Sequence, residues 1–195
     1  MMEAWILKVV FMLFWVGTWI IRYPFNREQK KNTITTDQKT TQEKILLSAA
    51  FLGMALIPVV YVLTPLFSFA NYQLPIGIHI LGFSLILPTL WLFYRSHKDL
   101  GKNWSPSLEI RQGHHIVDGG VYKYIRHPMY SAIWLWVILQ ACLLPNWVAG
   151  FSGMFGFGLL YFIRVGQEEA MMKKQFGEQY AAYQQKTKRL IPFIL

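Results

Sequence analysis

Five apolar runs, separated by polar segments that hold almost every basic residue, constrain this chain more than any other feature. The runs cover residues 4–21, 45–63, 74–94, 130–144 and 147–163. A hydrocarbon core about 30 Å thick needs about twenty helical residues to cross it, and the first three runs are near that length. At about 1.5 Å per residue the fourth spans about 22 Å. It is therefore thinly matched to a bilayer or extended by residues before Tyr130. Only Pro145-Asn146 separates the last two runs, which predicts a tight helical hairpin. Composition agrees, because a chain 54% hydrophobic and only 15% charged, with 8 Trp, 14 Phe and 10 Tyr, is atypical of a soluble domain. The expected fold is all-α: an integral membrane protein of about five transmembrane helices, the last two a tight hairpin.

The charges orient these spans. Apart from Lys8, six Lys and Arg fall in residues 22–44, six in 95–126 and six in 164–189, and the links at 64–73 and 145–146 carry none. By the positive-inside rule the three basic segments are cytoplasmic, which requires an odd number of spans, the N-terminus outside and the C-terminus inside. A net charge of +9 on a soluble fold would suggest nucleic acid. Here the basic residues sit between apolar runs, where an anionic leaflet accounts for them, so the bilayer is the expected partner and nucleic acid is not.

The first run has no cationic region ahead of it and no small-residue cleavage site, so a retained helix is expected rather than a signal peptide. Residues 22–44, rich in Lys, Thr, Gln and Asn, read as a solvated connector. Pro58 predicts a kink in the second span. His79, one turn into the third span, reads as an interfacial, hydrogen-bonded histidine. Cys142 lies alone in an apolar run, so no intrachain disulfide and no CxxC pair exist. Gly150, Gly153, Gly156 and Gly158 predict close helix packing. The tail, residues 165–195, places Met171, Met172, Phe176, Tyr180 and Tyr183 at near-helical spacing. It predicts an amphipathic helix along the membrane surface, interrupted at Gly177 and ended by Pro192.

Two polar stretches flank the final hairpin and are the places for chemistry. Residues 109–130 hold three of the five histidines beside Arg111, Lys123 and Arg126. The second stretch, residues 164–169, places Arg164 and Glu168 four apart on one helical face. His97, His114, His115 and His127 lack HExxH or acidic companion spacing, so no metal is expected. No Gly-rich turn follows a strand, which excludes a soluble nucleotide-binding fold of the Rossmann type. Gly119-Gly120 permits a tight turn that brings residues 115–117 back over Tyr122 and His127. Pro128 suits a first helical turn, where its missing N–H is not needed, and free backbone N–H groups beside it can meet an anion.

The ordered motifs His115-Ile-Val-Asp-Gly-Gly-Val-Tyr122, Arg126-His-Pro-Met-Tyr130, Glu168-Glu169, Phe176-Gly-Glu-Gln-Tyr-Ala-Ala-Tyr183 and Arg189-Leu-Ile-Pro192 resemble the isoprenylcysteine carboxyl methyltransferase family. That family sits in a wider group that includes membrane phospholipid methyltransferases. The likeness covers residues 100–192 and divides the chain into an N-terminal three-span membrane region, 1–99, and a C-terminal methyltransferase-like region, 100–195. It implies S-adenosyl-L-methionine as cofactor, bound by His115, Ile116, Val117, Tyr122, His127, Pro128, Met129, Tyr130 and Glu168. It also implies Arg164 as the substrate-binding residue, with Arg164 and Glu168 as the catalytic pair, and a lipid or lipid-modified acceptor.

Within that resemblance, carboxyl O-methylation needs no general base, because an α-carboxylate with a pKa near 3.5 is already ionised. Amine N-methylation of a phospholipid would need one, with Glu169 or His114 as candidates. Gly166-Gln167 departs from the family pattern just before the glutamate pair and bears on the choice of substrate. An NADPH-dependent membrane reductase and a non-catalytic membrane scaffold are the readings from other classes. Oligomeric state is not legible in the sequence.

Overall fold

Proline and glycine punctuate the long helices of this protein without ending them, so the elements run further than their apolar residues alone. The computed structural model describes residues 4–29, 34–37, 40–105, 107–111, 113 and 115–194. Helix α1 (Ala4–Gln29) passes through Pro24, and α4 (Ile76–Leu100) passes through Pro88. A proline removes one helical hydrogen bond, and flanking turns and neighbours can absorb the loss in a span. Both helices therefore outrun the expected ends at residues 21 and 94. The extra turns carry Arg22, Asn26 and His97 to the same end of the molecule.

The second span runs from Thr41 to Leu63 as α2 (Thr41–Phe51), a π-helical turn (Leu52–Leu56) and α3 (Ile57–Leu63). Thr40 caps its start: its hydroxyl accepts the Glu43 N–H at 3.1 Å. The irregularity expected at Pro58 lies one turn earlier. In the π turn the Ile57 N–H reaches the Leu52 carbonyl, so the next carbonyl in that register, Gly53, would need an N–H from residue 58, which is proline. Gly53 O is met instead from two other helices, by Gln140 Nε2 at 3.0 Å and Ser152 Oγ at 2.7 Å. Without water, that substitution is what a membrane interior demands of a broken ladder.

Helices α5 (Pro128–Leu143) and α6 (Trp147–Lys186) form the expected hairpin. Helix α5 starts two residues before Tyr130 but has only 16 residues, about 24 Å, so the fourth run stays thinly matched to a bilayer. Asn146 organises the turn: its Oδ1 accepts the Val148 and Ala149 N–H groups, and its Nδ2 donates to Phe67 O and Asn71 Oδ1. At about 1.5 Å per residue α6 is about 60 Å long, twice the hydrocarbon thickness. Residues 147–163 carry its apolar run, and the helix continues well past them to Lys186. The expected tail helix is thus a continuation of the last span, broken at Gly177 (φ 51°, ψ −124°), an angle that glycine adopts readily. Its buried face, Met171, Tyr180 and Tyr183, turns toward the segment before α5.

The core has two parts. Leu7, Phe11 and Phe14 of α1 pack with Phe93, Trp136, Leu139 and Leu143, and Leu46 of α2 packs with Val137, Phe157, Leu160 and Tyr161. Outward faces stay apolar, as at Leu13, Ile20, Leu87, Phe155 and Phe162, which suits lipid contact. Lys8 is met inside the protein by the Tyr61 carbonyl at 3.2 Å and the Tyr61 ring. His79 Nδ1–H donates to Cys142 O at 2.8 Å, in agreement with the hydrogen-bonded reading. Gly156 faces the Ala49 backbone and Gly53 faces that of Ser152, both too close for a Cβ, so α2 and α6 touch backbone to backbone. Gly150 and Gly153 are similarly tight, whereas Gly158 has ordinary room. A two-stranded antiparallel ribbon, β1 (Ile34–Asp37) with β2 (Glu109–Arg111), is the one departure from helix among the described residues. It gives structure to part of the 22–44 connector and ties it to the 109–130 stretch. The protein is an all-α, multi-pass integral membrane protein.

Candidate active site

The segment between α4 and α5 is pinned from several sides. Arg95 Nη2 pairs with Asp99 Oδ1 at 3.1 Å, and the other Asp99 oxygen accepts the Val121 N–H at 2.9 Å. A Cβ on Gly120 (φ +58°) would lie 2.5 Å from Asp99 Cγ, so backbone angle and space both require glycine. Asn103 Nδ2 donates to His115 O at 3.0 Å, and Tyr122 OH donates to Ser96 O at 3.2 Å. From the far end of α6, Tyr183 OH donates to Tyr122 O at 2.7 Å. The C-terminal segment then returns to the start of α5. Arg126 and His127 give their backbone N–H groups to the carbonyls of Lys188 (2.7 Å) and Arg189 (3.0 Å). These two N–H groups are therefore not available to a ligand.

Glu168 and Glu169, adjacent on α6, have different partners. Glu169 accepts from Arg126 Nε at 3.1 Å, from Arg189 Nε at 3.0 Å and Nη2 at 2.7 Å, and from His127 Nε2 at 3.3 Å. Glu168 accepts the Tyr130 hydroxyl and faces His127 Nδ1 at 3.6 Å and Arg164 Nε at 4.0 Å. The Tyr130 ring stacks on His127 at 5.3 Å. Burial alone would raise both carboxyl pKa values, but the neighbouring cations outweigh it. Hydrogen bonding and charge from His127, with Arg164 and Tyr130, hold Glu168 at about 2. His127, Arg189 and Arg126 hold Glu169 well below the ordinary range. Burial would lower the His127 pKa, yet Glu168 and Glu169 raise it above its ordinary value.

These residues surround a cavity of about 530 Å³. His115, Ile116, Val117, Tyr122, His127, Met129, Tyr130, Arg164 and Glu168 all line it. Pro128 does not: it is buried as the first residue of α5 and sets the helix start. His114 lies outside the described residues. Arg164 is buried between two carboxylates, with Nη1 3.6 Å from Glu43 Oε1. Glu43 in turn accepts the Leu108 N–H at 2.7 Å. Ser105 and Ser107 hydroxyls hold Glu109 at 3.0 and 2.6 Å.

Sequence reasoning missed the remaining walls: Arg22 and Asn26 of α1, His97, Asn103 and Trp104 after the third span, and Met171, Tyr180 and Tyr183 of the tail. Glu43 carried a legible signal, an acid three residues after a capping threonine. The α1 residues carried none, because the polar composition of residues 22–44 read as a solvated connector. Residues on both sides of position 99 line the one cavity. Its polar end passes into an apolar arm walled by Trp15, Trp19, Phe51, Met54, Ile133 and Leu160. Among the described residues no group of three or more metal-ligating side chains is placed together.

Fold and site define a multi-pass membrane protein with a charged cavity at the end of its helices, open to an apolar arm. The sequence model of the Isoprenylcysteine carboxyl methyltransferase (ICMT) family matches residues 79–174, which include the motif residues from His115 to Glu168. The chain is 25% identical over 158 residues to protein-S-isoprenylcysteine O-methyltransferase B of Arabidopsis thaliana, covering 80% of each. It is 35% identical over 83 residues to the Schizosaccharomyces pombe protein-S-isoprenylcysteine O-methyltransferase and 32% over 81 to the human one, spanning 34% and 28% of their lengths. A solved structure of the eukaryotic intramembrane Ras methyltransferase ICMT shares the fold with a TM-score of 0.52 at 21% identity, over 82% of this chain and 55% of that one. These findings support an isoprenylcysteine carboxyl methyltransferase-like family for the chain.

Proposed function

We propose that this protein transfers a methyl group from S-adenosylmethionine to the carboxylate of an isoprenylcysteine-type, lipid-borne acceptor. The observation that carries the reading is convergence: motif residues from His115 to Glu168, scattered over half a hundred positions, line one cavity that continues into an apolar arm. A cavity of that size suits a drug-sized ligand. The arm suits a prenyl chain, and the polar end suits a charged donor.

The cofactor's chemistry fits the residues present. When bound, S-adenosylmethionine supplies an electrophilic methyl group on a sulfonium sulfur. Aromatic faces at Tyr122 and Tyr130 attract such a cation, and Glu168, ionised at about 2, adds a fixed negative charge. Tyr130 orients that carboxylate through its hydroxyl. His115, Ile116, Val117, His127 and Met129 complete the donor's walls. Arg164 positions the acceptor carboxylate with its guanidinium fork, itself held in place by Glu43 and Glu168. No side chain has to remove a proton, because the acceptor carboxylate is ionised at neutral pH.

Phospholipid N-methylation would need a base, and Glu169 is the adjacent carboxylate. Two guanidinium groups and the His127 ring already occupy it, and its acidity makes it a poor proton acceptor. That favours the carboxyl reaction. In this reading residues 1–99 supply the lipid-facing wall and 100–195 the transfer chemistry. The N-terminus is outside, and the site faces the cytoplasm, as the basic segments require. Purified protein should move a radiolabelled methyl group onto N-acetyl-S-farnesylcysteine and leave phosphatidylethanolamine unlabelled. Label on the phospholipid alone, or on neither, would refute the assignment.

A further inference from the structure

The cavity has a second, basic wall that the family motifs do not reach. Arg22, on the turn of α1 beyond its expected end, lines the cavity with its guanidinium over the Trp104 ring, 5.3 Å from the centroid. Among the described residues no carboxylate pairs with it, in contrast to Arg126, Arg164 and Arg189. A ring face takes the flat side of a guanidinium and leaves its N–H edge free to donate.

His97 stands on the same wall. Its ring lies 4.9 Å from Trp104 and 5.2 Å from Phe25 of α1. It is fully buried, and Nδ1 is 2.8 Å from the Phe93 carbonyl. A carbonyl can only accept, so Nδ1 carries the proton and Nε2 is an acceptor in the neutral ring. That Nε2 has no hydrogen-bond partner among the described residues. A buried acceptor left unmet costs about 1–3 kcal/mol, so a ligand N–H is the partner the site lacks. A cationic fork beside an unmet acceptor matches one chemical unit, a carboxylate whose α-carbon carries an N–H.

We infer that Arg22 and His97 form a receiving subsite for such an α-amido or α-amino carboxylate, in the cavity that Arg164 also lines. This inference rests on the proposed transfer reaction, in which two such units meet in the cavity: the amino-acid end of the donor and the terminal carboxylate of the acceptor. Two arginines that line the cavity without being committed to Glu169 are available for the two carboxylates, Arg164 and Arg22. The family motifs carry only the first. Arg22 is thus a binding residue contributed by the membrane region outside the matched segment.

The test uses the full chain in detergent and two matched ligand pairs, with affinities read by calorimetry. One pair is S-adenosylhomocysteine and its analogue lacking the carboxylate. The other is N-acetyl-S-farnesylcysteine and its carboxamide. Arg22→Gln should abolish the preference for the carboxylated member of one pair, weakening it about tenfold or more, as loss of a charge-assisted bond predicts. Binding of the other member should be unchanged. The pair affected names the source of the carboxylate, donor or acceptor. Arg22→Lys, which keeps the charge and loses the fork, should retain part of that preference. Both preferences intact in Arg22→Gln would overturn the inference. If Arg22→Gln binds nothing because it does not fold, full preference for both carboxylated ligands in Arg22→Lys would overturn it instead. Failure of the underlying reaction looks different: the unmodified protein would bind neither pair and transfer no label.

Discussion

Glu169→Gln should loosen the C-terminal segment from the start of α5, and the structure sets the size of the effect. The carboxylate is nearly buried and accepts from Arg126, Arg189 and His127. Removing one partner of a buried ion pair costs about 3–5 kcal/mol. Two features reduce that here. The Arg189 side chain is 44% exposed, so its share falls to about 1 kcal/mol or less. Arg126 keeps the carbonyls of Gln184 and Thr187. A net loss of about 2–3 kcal/mol remains, which is about 30- to 150-fold in the opening equilibrium.

Hydrogen exchange at the Arg126 and His127 amides reads that opening directly, since both donate to carbonyls of the docked segment. After correction for intrinsic chemistry, both should exchange faster by about that factor in the variant. The pH dependence has two limbs. Glu169 and Glu168 are depressed in the folded state, so their stabilisation is present above the ordinary carboxylate pKa and is lost as pH falls toward their folded values. His127 is raised, so its share is fully present below the ordinary histidine value, about 6.5, and is lost as pH rises through its folded value. Protection should therefore peak between these limits, and the alkaline limb should flatten in Glu169→Gln. Unchanged protection at both amides would mean that backbone pairing alone docks the segment, and the ion-pair argument would fail.

Tyr130→Phe should weaken S-adenosylhomocysteine binding about tenfold in calorimetry, because the hydroxyl that orients Glu168 is gone; unchanged affinity would remove Tyr130 from the donor site. Arg164→Gln should keep donor-product affinity within a few-fold while methyl transfer falls at least a hundredfold, and equal losses in both would mean its role is not acceptor positioning. Gln140→Leu should destabilise the protein by about 1–3 kcal/mol, lowering its melting temperature in detergent, since Gly53 and Ala149 carbonyls lose a buried donor. Gly156→Val should be worse than Gly156→Ala in the same assay, because the new side chain meets the Ala49 backbone, which cannot turn aside.

Much of this architecture follows from hydropathy and charge alone. Five apolar runs gave five apolar helical segments, four of them long enough to cross a membrane and α5 shorter, because lipid leaves no other fate for an unpaired backbone, and Pro145-Asn146 gave the hairpin turn. The motif residues were legible as a set through their likeness to a known family. The helix ends were not: Pro24 and Pro88 are breakers in a window of sequence, yet both helices continue past them. Nor was the tail's partner visible, since Met171, Tyr180 and Tyr183 mark an amphipathic face without saying what it covers.

What the sequence determined by itself was therefore everything local or compositional: membrane residence, span number, and the residue types available at each polar gap. The tertiary structure alone decided which charges meet. Glu168 and Glu169 are neighbours in sequence, yet one lines the cavity and the other is consumed by Arg126, Arg189 and His127. Arg22 and Arg164 are both basic residues at the ends of spans. Only long-range packing, with Glu43 brought to one and Trp104 to the other, leaves them with different capacities. Charge pairing depends on distances of a few ångströms between residues far apart in the chain, and hydropathy carries no record of those distances.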